Sequence, residues 1–208
     1  MALILAFPAS QAWASEAPGA GSPTNTASAV NTRDASSVFR IAFALQQING
    51  GVVNPTNTAT AYASCTSCQT VAIGVQVVLA SGSPSVYTPT NTATAVNYKC
   101  TMCDTVALAY QFVVQTPVPE RLSPQGNREL AQIEASLQRL RSSGLTGPQL
   151  KTQVAALMSQ LNQTLATDLV PINPSQRGGR GGSRQERSVG AMGDNTPTSS
   201  STTNVMMT

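Results

Sequence analysis

From residue 23 to about residue 116, apolar and polar side chains alternate with a period of two, and beyond Pro117-Val118-Pro119 the period lengthens to about 3.6. The first stretch predicts strands and the second predicts helices. In one expected strand Asn57, Ala59 and Ala61 fall on one side, with Thr58, Thr60 and Tyr62 on the other. In the next, Val71, Ile73, Val75 and Val77 oppose Ala72, Gly74 and Gln76. Each strand thus has one face of small residues and one that is bulky or hydroxylated, because successive side chains leave a strand on opposite sides.

The strand stretch repeats itself. Pro23-Thr24-Asn25-Thr26-Ala27-Ser28-Ala29-Val30 returns as Pro55-Thr56-Asn57-Thr58-Ala59-Thr60-Ala61-Tyr62 and as Pro89-Thr90-Asn91-Thr92-Ala93-Thr94-Ala95-Val96, with starts 32 and 34 residues apart. A second segment follows each: Ile41-Ala42-Phe43-Ala44-Leu45-Gln46, then Val71-Ala72-Ile73-Gly74-Val75-Gln76, then Val106-Ala107-Leu108-Ala109-Tyr110-Gln111. Three copies of roughly 33 residues therefore fill residues 23–116. Gly and Pro cluster between copies, at Asn49-Gly50-Gly51 and Ser81-Gly82-Ser83-Pro84, where turns belong. A face of Ala, Gly, Asn and Gln lets another backbone layer approach closely, and aligned amides in stacked copies form ladders. Each copy reads as an antiparallel hairpin or as one coil of a short β-solenoid, and an ordinary β-sandwich assembled from duplicated hairpins fits the same pattern.

In the helical stretch, Ser123-Pro124 is an N-cap followed by a proline at the first helical position, and Leu130, Ile133, Leu137 and Leu140 form a stripe ending near Gly144. Thr146 caps a second helix, whose Leu150, Val154, Leu157, Leu161 and Leu165 form a matching stripe closed by Pro171. Residues 117–171 thus predict an αα-hairpin whose stripes zip on each other as a short coiled coil; the other uses of the stripes are to cover the bulky sheet face or to bind a second copy. Residues 172–208, rich in Gly, Ser, Thr and Arg, are expected to be disordered. The fold class is α+β: a repeat-built antiparallel sheet or short solenoid, then the helical hairpin, then the tail.

Cys65-Thr66-Ser67-Cys68 and Cys100-Thr101-Met102-Cys103 occupy the same place in copies two and three, at the bend between paired strands, with Ala35 and Val38 at the corresponding places of copy one. Paired loss of both sulfurs makes each Cys-x-x-Cys a self-contained unit. A disulfide within each pair fits the Cα separation of about 5.5 Å that crosses a tight turn, and cross-links between copies are the other pairing. Two other chemistries are open to Cys65, Cys68, Cys100 and Cys103. One is a zinc site with four thiolate ligands, although Gln69 and Asp104 stand where a typical knuckle has Gly. The other is a redox pair, although strand sequence follows where a helix N-terminus would be needed to lower the thiol pKa.

Composition narrows the function. Of 208 residues none is histidine, so a Ser-His-Asp triad, a Cys-His pair and an HExxH metal site are all excluded, and no catalytic constellation is recognisable. Charged residues make up 10% of the chain, and those of residues 23–116 are only Arg33, Asp34, Arg40, Lys99 and Asp104. The net charge of +3 is too small to argue for a specific nucleic-acid partner, and no apolar run approaches the ~20 residues of a membrane span. Arg177, Arg180, Arg184 and Arg187 nevertheless concentrate charge in an RGG-like tail, suited to anionic wall polymers or lipid headgroups outside the cell, to weak, sequence-tolerant RNA binding inside it, or simply to a solvated spacer. Residues 1–22 read as a truncated signal segment and linker: an apolar core from Ala2 to Phe7, then Pro8, then Ala12-Trp13-Ala14 in the small-x-small pattern of a cleavage site, without a preceding Lys or Arg. Export would place the cysteines in an oxidising space, where disulfides form.

The succession Asn57-x-Ala59-x-Ala61, Cys65-x-x-Cys68, Ala107-x-Ala109-x-Gln111, followed by an amphipathic helical hairpin, resembles a family of repeat-bearing secreted or membrane-anchored proteins of high-GC Gram-positive bacteria. Some members bear the label of peptide zinc metalloproteases. The resemblance covers residues 23 to about 171 and implies an accessory extracytoplasmic module; with no histidine, the protease activity has no residue to rest on. The expected function is that of a non-enzymatic exported repeat protein, a structural or interaction module at the cell surface, wall or spore that requires no cofactor. Its partners would be other proteins or anionic polymers, met through Thr58, Thr60, Thr92 and Thr94, unless these are merely the solvated side of the sheet. The alternatives are zinc or thiol-redox chemistry at the cysteines and, as a minor one, ice binding by the threonine array.

Overall fold

The computed structural model of the protein describes residues 21–172 and 198–207. The expected signal segment up to residue 20 and the four tail arginines lie outside the described residues.

Three successive segments each contain an eight-residue strand, a short turn and a thirteen-residue strand. They are β1 (Thr24–Asn31) and β2 (Ser37–Asn49); then, after the short β3 (Val52–Val53), β4 (Thr56–Ala63) and β5 (Gln69–Ser81); then, after β6 (Val86–Tyr87), β7 (Thr90–Asn97) and β8 (Asp104–Thr116). The eight-residue strands form one sheet in the order β1-β4-β7, and the long strands form a second, in which β2, β5 and β8 adjoin in that order. All pairings within these two sets are parallel, as is that of β3 with β6.

The antiparallel hairpin expectation is corrected here. The two strands of one segment do not pair with each other but lie in different sheets, with β1 against β2 and β5, β4 against β5 and β8, and β7 against β8. Parallel stacking sets like opposite like, Asn25↔Asn57↔Asn91 and Ala27↔Ala59↔Ala93. A hairpin would instead have opposed Asn to the unlike residues of its own second strand. The inward faces of both sheets are small, so they meet in a thin layer of Ala27, Ala29, Ala59, Ala61, Ala72, Ala95, Ala107 and Ala109.

Polar residues inside this layer satisfy one another. Asn25 Nδ2 donates to Asn57 Oδ1 at 2.8 Å, and Asn57 Nδ2 to Asn91 Oδ1 at 2.9 Å. A second ladder runs the other way, from Gln111 Nε2 to Gln76 Oε1 at 2.8 Å and from Gln76 Nε2 to Gln46 Oε1 at 3.0 Å. At the end of that ladder, Gln111 Oε1 is buried without a hydrogen-bond partner. The register also corrects the alignment of the first segment. Phe39, not Ile41, lies opposite Val71, and Arg33 and Ser36, not Ala35 and Val38, hold the places of Cys65 and Cys68, because the first two segments are offset by 32 residues throughout. A slip of two residues keeps every side chain on its face, so Gln46 still reaches Gln76 although Ala44 is its register partner.

The bulky outer face of the long-strand sheet is covered by helices. A short strand β9 (Glu120–Leu122) leads into α1 (Pro124–Arg139), a 3-10 turn over Leu140–Ser142 reverses the chain at Gly144 (φ +66°), and α2 (Gly147–Thr167) runs into β10 (Leu169–Pro171), which pairs antiparallel with β9. Ser123 Oγ accepts from Gly126 N at 3.0 Å, the cap expected ahead of Pro124. Leu130, Ile133 and Leu137 of α1 and Leu150, Val154 and Leu161 of α2 share one core with Ile73, Val75, Leu108, Tyr110 and Phe112. The stripes therefore meet each other and the sheet, rather than each other alone, because the apolar sheet face has to be removed from water. No helix among the described residues is long and apolar enough to cross a membrane.

One further strand departs from the expectation. β11 (Thr198–Met207) pairs antiparallel with β8 and extends the long-strand sheet to the order β11-β8-β5-β2. Disorder from residue 172 onward therefore does not hold for this segment. Its composition cannot bury a core, but the outer edge of β8 offers it a complete row of backbone partners.

Candidate functional site

The turns between short and long strands gather most of the chain's chemistry. In each turn the third of its last four residues is left-handed: Ala35 (φ 50°), Ser67 (φ 53°) and Met102 (φ 52°). The turns stack as the strands do, with Ala35 N donating to Thr66 O at 2.9 Å, Ser67 N to Thr101 O at 2.8 Å and Asp104 N to Cys68 O at 2.9 Å. The same backbone path therefore forms with and without cysteine. In the first turn a polar set holds it: Asn31 Oδ1 accepts from Arg33 N at 3.2 Å and from Ser36 Oγ at 2.9 Å, while Asn31 Nδ2 donates to Gln69 O at 3.2 Å.

In the other two turns sulfur takes over. Cys65 is bonded to Cys68 and Cys100 to Cys103, with Cα separations of 6.2 and 6.0 Å. The parallel stack then brings the two disulfides together, with Cys68 Sγ and Cys103 Sγ 3.3 Å apart and all four sulfurs within 4.8 Å of one another. Cys65 and Cys68 are buried, and Cys100 and Cys103 are half-buried. Each second cysteine leads directly into a strand, β5 or β8, and not into the helix N-terminus that would lower a redox thiol's pKa.

Next to this cluster the sheet is joined to the helices. Asp104 Oδ2 accepts from Gly147 N, the first residue of α2, at 2.8 Å and from Gln69 Nε2 at 3.0 Å, while Gln69 Nε2 also donates to Leu145 O at 2.7 Å. A carboxylate here suits the positive end of the helix. In the sequence Asp104 stands out only as a non-glycine after a cysteine pair; nothing local announces its reach to a helix 43 residues on.

The outer face of the short-strand sheet is a grid. Thr24↔Thr56↔Thr90, Thr26↔Thr58↔Thr92 and Ser28↔Thr60↔Thr94 stand in register, and the next row is Val30↔Tyr62↔Val96. Strand geometry spaces the hydroxyls about 4.8 Å across the sheet and about 6.6 Å along it. Thr58, Thr60, Thr92 and Thr94 are thus joined by Thr24, Thr26, Ser28, Thr56 and Thr90. The missed members carried the same signal, the repeated Thr-x-Thr, and only the register shows them as one surface. The two ends of the apolar row are open to solvent, Val30 at 58% and Val96 at 39%, while Tyr62 between them is half-buried, and Tyr98 and Met102 are exposed near the sulfur cluster.

A groove between the helices, lined in part by Glu129, Arg139, Gln160, Thr164 and Asp168, is polar, and Glu129 Oε2 already accepts from Thr164 Oγ1 at 2.9 Å. Burial pushes the Tyr110 phenol up, keeping it protonated inside the core. Neither place joins a nucleophile to a base. No family model, no curated protein and no solved structure matches this chain.

Proposed function

We propose that the chain is a non-enzymatic, exported structural and interaction module of the cell surface, wall or spore, built as a three-coil β-solenoid whose hydroxyl face is the contact surface. The observation that carries this reading is the in-register grid of eight threonines and one serine beside a row in which Val30 and Val96 are exposed and Tyr62 is half-buried. A weakly charged, in-register hydroxyl surface with an apolar margin suits another protein or an ordered polymer, not a small substrate. Export is supported by the signal-like pattern of Met1 to Ala14 and by the paired cysteines, and the tail arginines would add attraction to anionic polymers. The resemblance to secreted repeat proteins points the same way. The same grid would also suit ordered water, the basis of the ice-binding reading.

The test is fractionation of the producing cells with and without the paired change Thr58→Lys and Thr60→Lys. Both side chains lie half-buried on the outer face, where a long Lys stem can run out to water, so the fold should survive at a cost of about 1 kcal/mol per change, checked by circular dichroism of the variant. The parent protein is expected in the surface or wall fraction, and the variant is expected to be released from it. A parent found in the cytosol, or a variant that stays bound, overturns the reading. Thermal hysteresis of the purified parent, abolished in the variant, would instead make ordered water the ligand.

A further inference from the structure

We infer that Cys65, Cys68, Cys100 and Cys103 form a redox-gated zinc site, holding two disulfides when oxidised and one tetrahedral four-sulfur zinc ion when reduced. The geometric basis is the gathering of all four sulfurs within 4.8 Å by two adjacent turns. A tetrahedral zinc with Zn–S bonds of about 2.3 Å needs sulfurs about 3.8 Å apart. The contact between Cys68 Sγ and Cys103 Sγ, at 3.3 Å, is already close to that spacing. Cα separations of 6.2 and 6.0 Å within the pairs leave room for the bonded sulfurs to part by side-chain rotation.

A zinc site also requires that the sulfurs stay assembled once their bonds are cut. The first turn supplies that observation. Ala35 has the same left-handed backbone as Ser67 and Met102, yet its turn contains no cysteine. Backbone hydrogen bonds between turns, such as Ser67 N to Thr101 O, run through the stack whichever side chains close each turn, Asn31 with Ser36 in the first and sulfur in the other two. The stack is a preorganised frame for four thiolates.

The chemistry balances with a dithiol as reductant. Each protein disulfide accepts two electrons and two protons from one dithiol, which closes to its own disulfide. Zinc then displaces the four thiol protons and takes the four thiolates. The half-buried Cys100 and Cys103 admit the reductant first. The Thr58 and Thr60 variants leave this site intact, so its failure and that of the contact face are separately visible.

The experiment uses the full chain, reduced with a phosphine and titrated with cobalt(II). Expected are about one cobalt per chain, thiolate-to-cobalt charge-transfer bands with the strong d–d absorption of a tetrahedral site, and displacement of cobalt by zinc. The oxidised chain should take up none. The variant Cys65→Ser with Cys68→Ser should fold, as the first turn does, and lose the four-sulfur spectrum. Far-ultraviolet circular dichroism of the reduced, metal-free chain should keep its strand signal. Collapse of that signal, no uptake on reduction, two cobalt ions per chain, equal uptake by the oxidised chain, or an unchanged spectrum in the variant would each overturn the site.

Discussion

Asn57 donates to Asn91 across 2.9 Å in the middle of a layer otherwise made mainly of alanine. Asn57 is fully buried, and its Nδ2 also faces the carbonyls of Gly74 and Tyr110, at 3.1 and 3.0 Å, while its Oδ1 accepts from Asn25. One side chain thus links both sheets and all three short strands. Asn57→Ala removes the central link of the ladder, with its bonds to both neighbouring amides and to two carbonyls, and should cost about 2–4 kcal/mol. Asn57→Asp keeps the shape but turns a charge toward two carbonyls, so its cost should be larger. Urea midpoints of the three proteins check the order, and an aspartate variant as stable as the alanine variant contradicts it.

Gly74 sets how closely the sheets approach. A Cβ there would lie 2.9 Å from Asn57 Oδ1 and 3.2 Å from the carbonyl of Thr58. Its register partners on either side, Ala42 and Ala109, both carry a Cβ, so the tight spot is the central strand alone. Gly74→Ala should destabilise by about 1–3 kcal/mol, because Asn57 is pinned and cannot yield. A neutral result in thermal unfolding would mean that the layer has slack.

Asp104 joins the sulfur-bearing turn to the helices through Gly147 N and Gln69. Asp104→Ala should cost about 1–2 kcal/mol and Asp104→Asn less, since the amide oxygen can still accept. Hydrogen exchange reads the effect directly: the first-turn amides of α2 should lose protection in the alanine variant, while those of β5 should not.

Two carboxyls give the fold a mild pH dependence. Burial pushes Glu134, and likewise Glu120, above the usual value of 4.5. A raised folded-state pKa means that the native state holds the proton more tightly than the unfolded chain, so these groups favour folding as pH falls through the folded value and level off below about 4.5. Both are largely solvated, which keeps the effect small. Glu134→Gln should raise stability at pH 7 by less than about 0.5 kcal/mol and give no gain near pH 4. Denaturant midpoints at the two pH values test the sign; a gain only at the acid end would reverse it.

Local pattern was enough for the elements and their faces. Alternation placed Asn57, Ala59 and Ala61 inward and Thr58 and Thr60 outward, and the burial of β4 follows that alternation. Ser123-Pro124 and Thr146 marked the helix starts, since caps are decided by one or two residues and their own backbone. Strand direction was beyond this reach, because a period of two is the same for parallel and antiparallel neighbours. So was the register of the first segment, because a two-residue slip leaves every face unchanged.

The covalent order of this chain thus determined which segments are strands, which side of each is small, where the helices begin, and that histidine-based catalysis is impossible. Stacking decided the rest. It set like opposite like, so that separate Thr-x-Thr motifs became one grid and two Cys-x-x-Cys pairs became one four-sulfur cluster. It gave Asp104 a helix to cap and gave Thr198–Met207 an open edge to pair with. Each of these is a distance between residues far apart in sequence, fixed by backbone hydrogen bonding and burial across the whole fold, and no window of neighbouring residues encodes it.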